Sequence, residues 1–484
     1  MQFKSAARWA GLITLALAGI AGSTGCQLEE LAQTPGGGST APSDPPPSGG
    51  SERKSAPEDV PDRAPRPELV ANAGSGVSIA TGLRAILSGS AAGGTPPYTF
   101  AWSPADGLSA VDAPNPGASP LRTTTYTLTV IDSAARRATD SVQVTVTPIP
   151  PTTDGALPDG ALFTQGNGIF IRTADGAAAP FRARGANLQD TRGCGYCLYE
   201  PSNAAEVQRR AAALVGDWGA DFVRLTLESR PIPDNPWARP APGVLDDPAY
   251  ADEIAQIVSS ITDRPGKYVL LSLWIEPTVD ENGWPTPQTD NVWTALAERF
   301  VDNPKVMFGI VNEPINNFDG AQDAACWEAM NRAASAIRAV EAAHDAAKHV
   351  ILAQGTGWWS RRLEYYVSHP LSAGGGENIA YEIHFYNPAE DIDALLSGPA
   401  AQIPVVIGEF GPDQQMTVED CRTLMDFARA ADISYLAWTF HYGCAPNLLL
   451  DTRDDAENHP CGIGMPLAPS AWGQMLIDEF AVPW

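Results

Sequence analysis

The feature that most constrains the fold is a series of eight almost uninterrupted apolar runs between residue 163 and the C-terminus. A run of strand length that is apolar at successive positions is expected where both faces of a β-strand are covered. The runs span residues 181–189, 221–228, 268–276, 306–313, 349–355, 379–386, 404–410 and 433–441. Eight parallel strands alternating with helices close a (β/α)8 barrel. We therefore predict an α/β TIM barrel over residues 161–484.

The segments between these runs carry helix signals. Asn203 and Glu206 resemble a capping pair, and Asp290 is a candidate N-cap of a later helix. A last helix is expected from about Ser470 to Phe480. Helices in these places are what alternation with eight strands requires.

Two glutamates end apolar runs: Glu313 ends the fourth run and Glu409 follows the core of the seventh. In a closed barrel the carboxyl ends of all strands converge on one face, where active sites are built. The two carboxylates are therefore expected to share one pocket. Taken singly, each could instead be a solvated loop residue or the partner of a helix N-terminus.

Five motifs occur in order along the runs. They are Arg224 in the second run, Asn312-Glu313-Pro314 at the fourth, His384-Phe385-Tyr386 in the sixth, Glu409 in the seventh and Trp438 in the eighth. Together they resemble glycoside hydrolase family 5, the cellulase-like branch of the retaining barrel enzymes. The resemblance covers about residue 163 to residue 484 and implies a glycosidase with no cofactor and no metal.

Retaining hydrolysis of a glycosidic bond requires the same residue types. Hydrolysis with retention needs one carboxylate that attacks the anomeric carbon and one carboxylic acid that protonates the departing oxygen, about 5 Å apart. The resemblance assigns the nucleophile to Glu409 and the acid/base to Glu313. The acid must keep its proton while the nucleophile is ionised, so their surroundings must differ.

Five further residues are expected to support this pair. Arg224 and Tyr386 would favour the charged form of Glu409. Asn312 would bind a sugar 2-hydroxyl, and His384 would orient the acid/base or the nucleophile. Trp438 would stack on a pyranose ring. The alternatives are a structural ion pair for the arginine, packing for the tryptophan and a barrel-interior role for the histidine and tyrosine.

One departure from the family pattern occurs at the third run, where many members carry a histidine and this chain has none. Trp274 could stack a sugar there and Glu276 could hydrogen-bond one, or both could be scaffold. The residues that contact each sugar are therefore left open.

The N-terminal segments differ in composition from the barrel. Residues 1–26 combine basic residues with an apolar stretch that is short for a membrane span, which is typical of an export signal. Cys26 after Gly25 indicates a lipoprotein signal, with ordinary secretion as the alternative. Residues 27–67 are rich in Pro, Gly and Ser and predict a disordered linker.

Residues 68–147 return to alternating apolar and polar positions split by Gly and Pro turns. This pattern predicts an all-β sandwich. It resembles a PKD-type immunoglobulin-like module, which would be a spacer or a carbohydrate-binding unit. A second linker, 148–160, precedes the barrel.

The net charge is −26, which argues against nucleic-acid binding and would not repel neutral glycans. Besides Cys26 there are six cysteines, an even number suited to an oxidising compartment. We favour Cys444 with Cys461, Cys194 with Cys197, and Cys326 with Cys421 among the fifteen sets of pairs that six cysteines allow. Zinc binding by the Cys-x-x-Cys lacks a second ligand pair.

The sequence thus predicts an exported, monomeric endo-β-glycosidase acting on a β-1,4-linked polysaccharide, cellulose or β-glucan first. A β-mannanase or a transglycosylase of the same family would use the same residues. The alternative from another class is a cell-surface protein that binds polysaccharide without cutting it. The presence of both Glu313 and Glu409 favours the enzyme.

Overall fold

The structure is a computed structural model. It describes residues 67–147, 157–192, 202–227, 243–274, 279–280, 282–314, 320–355, 360–413, 415–452 and 461–484. The predictions for the export signal, for the linker up to residue 66 and for Cys26, Cys194, Cys197 and Glu276 lie outside these residues. Within the described ranges, no helix is both long and apolar enough to cross a bilayer.

Residues 70–147 form a β-rich unit, as the alternating pattern predicts. Its strands are β1 (Val70–Asn72), β2 (Val77–Ala80), β3 (Ala85–Ile86), β4 (Ser90–Ala92), β5 (Tyr98–Ser103), β6 (Gly117–Ala118), β7 (Thr124–Asp132) and β8 (Arg137–Thr147). The sheets have the strand orders β2-β8-β7-β5, β1-β4 and β3-β6. On β7, Tyr126, Leu128 and Val130 are buried while the residues between them are more exposed, so one face of the largest sheet covers the core of this unit.

A small antiparallel sheet lies between this unit and the barrel. Its strands are β9 (Leu162–Gln165), β10 (Gly168–Arg172) and β11 (Ala178–Pro180). Phe163 and Phe170 stack with ring centroids 5.6 Å apart and pack into the core of the β-rich unit. Their neighbours Leu162 and Ile169 pack instead among residues of the barrel strands. Because successive side chains of a strand point to opposite faces, this sheet joins the two cores.

The barrel is closed by eight parallel strands in sequence order, which confirms the predicted α/β barrel. They are β12 (Arg184–Gln189), β13 (Phe222–Leu227), β14 (Tyr268–Leu273), β15 (Val306–Gly309), β16 (Ile351–Gln354), β17 (Ile379–Phe385), β18 (Val405–Phe410) and β19 (Ser434–Ala437). All their residues are buried. Leu162 and Ile169 contact residues near the strand starts, so the β9–β11 sheet covers the amino end of the barrel.

Helices cover the outside of the barrel. Those described are α1 (Ala204–Ala212), α2 (Pro248–Thr262), α3 (Pro287–Phe300), α4 (Gly320–Ala343), α5 (Glu364–Ser368), α6 (Gly398–Ala400), α7 (Val418–Ala430) and α8 (Ala471–Phe480), with short 3₁₀ or π turns at Ala213–Asp217, Ala373–Gly376, Ala389–Asp391 and Asp393–Ser397. Their apolar stripes face the strands, as the one-face spacing of their apolar residues requires.

Local capping fixes where three helices begin. Asn203 accepts a hydrogen bond from the backbone N–H of Glu206 at 2.9 Å, which confirms Asn203 as the N-cap of α1. The carboxylate of Glu206 does not complete a capping box, because it pairs with Arg209 and Arg210. Ser470 caps α8 as expected. Asp290 is not an N-cap: α3 begins earlier, with Thr286 as its cap, because Pro287 suits the first helical position.

Two predicted disulfides are wrong. Cys444 takes part in a disulfide, but Cys326, Cys421 and Cys461 are buried thiols. Cys326 lies on α4, after the fourth barrel strand, and Cys421 lies on α7, after the seventh. Helices so far apart around the barrel cannot bring two Cα atoms within the roughly 7 Å that a disulfide needs. Cys461 is held elsewhere, through its backbone oxygen, by the guanidinium of Arg210.

We predict that Phe170→Ala weakens the whole structure, because Phe170 is fully buried where the two cores meet. Removal of a buried phenylalanine ring costs about 3–5 kcal/mol of unfolding free energy. Urea denaturation of the full chain would measure this loss. The control is Leu121→Ala, since Leu121 is 84% exposed. Equal unfolding midpoints for the two variants would refute the shared core.

Candidate active site

The barrel gathers the residues singled out in the sequence at its carboxyl end. Arg224 lies on β13, His384 on β17 and Glu409 on β18. Tyr386 directly follows β17, and the remaining three predicted residues follow their strands: Asn312 and Glu313 after β15, and Trp438 after β19. His384 and Glu409 are register partners next to a β-bulge between β17 and β18, a feature common near active sites.

Arg224 is fully buried and connects the strands around it. Its Nη1 donates to Oε1 of Glu409 at 2.8 Å, and its Nη2 donates to Oδ1 of Asn312 at 2.7 Å. Two further acceptors are Asn187 Oδ1 at 2.8 Å and Ser272 Oγ at 3.0 Å. The planar guanidinium therefore fixes Glu409 and Asn312 relative to each other.

Glu409 is buried between three polar groups. Besides Arg224, the hydroxyl of Tyr386 donates to its Oε2 at 3.1 Å, and Nδ1 of His384 lies 3.6 Å from the same oxygen. Burial raises the pKa of Glu409 to about 7, although His384 and Arg224 oppose this rise and Glu313 adds to it. Arg224 thus favours the charged carboxylate, as expected, but desolvation is the larger effect.

Glu313 differs from Glu409 in exposure and in backbone conformation. Its side chain is 21% exposed, and its φ of 48° is unusual for a residue other than glycine. Its backbone N–H donates to Oε1 of Gln354 at 3.2 Å. Strained backbone of this kind is concentrated at functional sites. The Gln354 amide holds Glu313 in this conformation, with its carboxylate directed at His384.

His384 links Glu313 to a third carboxylate, that of the buried Glu382. Its Nδ1 is 2.9 Å from Oε1 of Glu313, and its Nε2 is 3.0 Å from Oε1 of Glu382. Burial lowers the pKa of His384, but the charge of Glu409 and the hydrogen bonds to Glu313 and Glu382 outweigh it and raise the pKa to about 9. The imidazole is therefore a cation at neutral pH, and both ring nitrogens donate.

Polar atoms of Glu313, His384 and Glu409 lie within 4.8 Å of one another. Among the residues that the structure describes, these three side chains are close enough together to hold a metal ion. A protonated imidazole has no lone pair to offer a metal, and Arg224 already supplies positive charge to Glu409. The group is better suited to proton transfer than to metal binding.

The aromatic residues form a separate cluster beside the glutamates. Trp438 is 7% exposed, and half-buried Trp274 and Tyr386 pack against it together with Cys444. The two indole rings have centroids 5.7 Å apart and an interplanar angle of 34°. Trp274 therefore occupies the end of the third strand, where many family members carry a histidine, and leaves Trp438 only a small exposed area.

Several polar residues of this network were missed in the sequence. They are Asn187, Ser272, Gln354 and Glu382, all fully buried. Asn187 Nδ2 donates to the backbone oxygens of Gly408 and Ala437 at 2.9 and 3.2 Å, which aligns β12 with β18 and β19. Each lies inside or at the end of an apolar run. An isolated polar residue in such a run is the signal that could have revealed them, since buried polar groups need partners.

Comparison with known proteins gives the family and the fold of this chain. A family model described as cellulase (glycosyl hydrolase family 5) matches residues 175–443. The chain is 26% identical over 143 residues to the manganese dependent endoglucanase Eg5A of Phanerodontia chrysosporium, covering 27% of this chain and 34% of the relative. It is 21% identical over 281 residues to a mannan endo-1,4-beta-mannosidase of Cellvibrio japonicus, covering 56% and 58%. A beta-mannanase/endoglucanase A of Caldicellulosiruptor saccharolyticus is 24% identical over 270 residues, covering 54% and 18%.

The chain thus spans less than two thirds of the length of each of these relatives.

Two solved structures share the fold. The cellulase Cel5C_n has a TM-score of 0.51 at 21% identity, with 67% of this chain and 93% of that chain covered. The catalytic domain of Thermobifida fusca endoglucanase Cel5A has a TM-score of 0.50 at 20% identity, with 67% and 98% covered. Because the family model spans more than half of its residues, this chain belongs to glycosyl hydrolase family 5.

Proposed function

We propose that the protein is an exported endo-β-glycosidase that hydrolyses a β-1,4-linked polysaccharide with retention, cellulose or β-glucan first. The observation that carries this proposal is that one carboxylate oxygen of Glu313 and one of Glu409 lie within 4.8 Å of each other beside His384. Retaining enzymes place their carboxyl groups about 5–5.5 Å apart, whereas inverting enzymes leave room for a water at roughly 6.5–9.5 Å.

In the first step, a carboxylate oxygen of Glu409 forms a bond to the anomeric carbon as the glycosidic C–O bond breaks. Arg224 and Tyr386 each hold one oxygen of Glu409 and so orient the attack. Glu313 gives its proton to the departing oxygen. The nearby His384 cation then stabilises the carboxylate that Glu313 becomes.

In the second step, Glu313 takes a proton from water as the water oxygen bonds to the anomeric carbon and the bond to Glu409 breaks. Both glutamates return to their starting protonation states. Asn312, held by Arg224 beside Glu313, is placed for the sugar 2-hydroxyl. A hydrogen bond there strengthens in the transition state and lowers its energy by several kcal/mol.

β-Mannan is the second candidate substrate. Of the three relatives, one is named as an endoglucanase, one as a mannan endo-1,4-beta-mannosidase and one as both a beta-mannanase and an endoglucanase. The network of Arg224, His384 and the two glutamates would serve either sugar, since it acts on the anomeric carbon and the 2-position. The support for β-glucan is the match to a cellulase family model.

The remaining parts of the proposal concern export, the N-terminal module and the oligomeric state. Residues 1–26 favour export, with Cys26 as a lipid anchor or with release as a secreted protein, and residues 68–147 favour a PKD-like module. The disulfide of Cys444 suits an oxidising compartment. The protein would act as a monomer on polysaccharide outside the cell.

We predict that the full chain releases reducing sugar from one of carboxymethyl cellulose, barley glucan, mannan and xylan. Glu409→Ala and Glu313→Ala should each lower this rate by at least about 10³-fold, since each removes a group that reacts directly. The control is Glu341→Ala, which changes a buried glutamate at the other end of the barrel. NMR of the first-formed product would show the retained anomer. An inverted product, or full turnover in a folded Glu409→Ala variant, would contradict the proposal.

We predict that kcat/KM falls as pH rises through about 7. Burial and the charge of Glu313 raise the pKa of Glu409 to about 7, so the site keeps a proton up to about that pH. That proton is the one Glu313 must deliver. A pH profile on polysaccharide tests this, and an aryl glycoside with an acidic leaving group, which needs no protonation, should lose the alkaline decline. A rate that instead increases through pH 7 on polysaccharide would assign the raised pKa to ionisation of the nucleophile.

A further inference from the structure

Glu382 is a third carboxylate at the carboxyl end of the barrel, and the mechanism above does not use it. It lies on β17 two residues before His384, so both side chains point to the same side of the strand. The side chain is fully buried. Its Oε1 is 2.8 Å from Nε of Arg224 and 3.0 Å from Nε2 of His384. Glu382 therefore contacts the two cations that hold Glu409 and Glu313.

The neighbouring strand leaves space for this carboxylate. A Cβ atom on Gly408, the residue before Glu409, would overlap Oε1 of Glu382. Burying an ion pair is often no better for stability than burying apolar side chains of similar volume. Packing alone therefore does not explain a buried glutamate at this position. Its distinctive consequence is a fixed negative charge beside His384.

When Glu313 carries the proton that the proposed mechanism requires, the charges of the site balance only if Glu382 is included. The ionisable groups that face His384 and Glu382 come from β13, the loop after β15, the end of β17 and β18; they are Arg224, Glu313, Tyr386 and Glu409. With Glu313 protonated, the cations are Arg224 and His384, and the anions are Glu382 and Glu409. Without Glu382, one buried positive charge would be left over, and His384 could relieve it by losing its proton.

We infer that Glu382 is a positioning residue that keeps His384 protonated and fixed between Glu313 and Glu409. Its effect on catalysis rests on the function proposed above, but its effect on His384 does not. Burial raises the pKa of Glu382, yet Arg224 and the hydrogen bond with His384 outweigh it and lower the pKa, so the carboxylate stays ionised. Nδ1 of His384 is then always a donor to Glu313.

A second buried cluster offers a matched control. Glu341 accepts from Nη1 of Arg338 at 2.7 Å, and Nδ1 of His349 lies 3.0 Å from its other oxygen. All three are buried, as in the active-site cluster. Nε2 of His349 lies 3.0 Å from the backbone oxygen of Asn303, just ahead of β15, so this cluster is at the amino end of the barrel. It repeats the Glu–His–Arg contact without touching either of the glutamates assigned to catalysis.

The experiment is an NMR titration of the histidine side chains in the full-length wild type, Glu382→Gln and Glu341→Gln. We expect His384 in the wild type to stay protonated up to about pH 9. In Glu382→Gln its midpoint should fall by at least about one pH unit, because a charged partner is lost. In Glu341→Gln the His384 midpoint should not move. The wild-type titration needs no variant and decides the first point even if Glu382→Gln does not fold.

Kinetics on the substrate found above complete the test. In Glu382→Gln, kcat should fall about 10- to 100-fold, a range typical for loss of a group that orients a directly acting residue. The alkaline decline of kcat/KM should move to lower pH, since removing a negative charge helps both His384 and the glutamate pair to lose a proton. Glu341→Gln should keep the wild-type kcat and pH profile even if the substitution lowers the stability of the protein.

Two results would overturn the inference. One is a wild-type His384 that is already neutral at pH 8. The other is a folded Glu382→Gln variant with the wild-type His384 midpoint and pH profile. A wild type that cleaves no polysaccharide would refute the proposed function instead. The titration of His384 requires no substrate, so the two failures are distinguishable.

Discussion

The guanidinium of Arg224 lies at the centre of the carboxyl end of the barrel, and the arrangement of the candidate site depends on it. Side chains from five strands or strand ends lie within 3.0 Å of its nitrogens. They belong to Asn187, Ser272, Asn312, Glu382 and Glu409. A fully buried cation is stable only where such partners replace water, and arginine can serve several at once because its donors lie in a rigid plane. One side chain thereby fixes strands that are distant in sequence.

The electrostatic balance of the site follows from this cation. Arg224 and His384 are two positive groups in a buried space, and Glu382 and Glu409 neutralise them when Glu313 carries a proton. That is the protonation state a retaining reaction needs at its start. Because burial and the charge of Glu313 raise the pKa of Glu409 to about 7, the site keeps a proton up to near neutral pH.

The sequence predicted what depends on local pattern and missed what depends on partners. Eight apolar runs identify the strands because burial on both faces leaves no polar alternation, and Glu313 and Glu409 stand out because they end such runs. Glu382 lies inside a run, between Tyr381 and Ile383. Its only signal in the sequence is that a charged residue interrupts the apolar residues of that run. Two of the cysteine pairs, Cys444 with Cys461 and Cys326 with Cys421, were wrong for a related reason: an even number of cysteines carries no information about which parts of a barrel are neighbours.

The position of the β-rich unit relative to the barrel limits the roles that this unit can have. Phe163 and Phe170 belong to its core, while Leu162 and Ile169 of the same hairpin close the amino end of the barrel. The glutamates lie at the opposite, carboxyl end. A module that presented substrate to the site would be expected near the carboxyl end, where the loops that contact ligands converge. A unit joined through a shared core to the other end is better placed to stabilise the barrel than to present a ligand to the two glutamates.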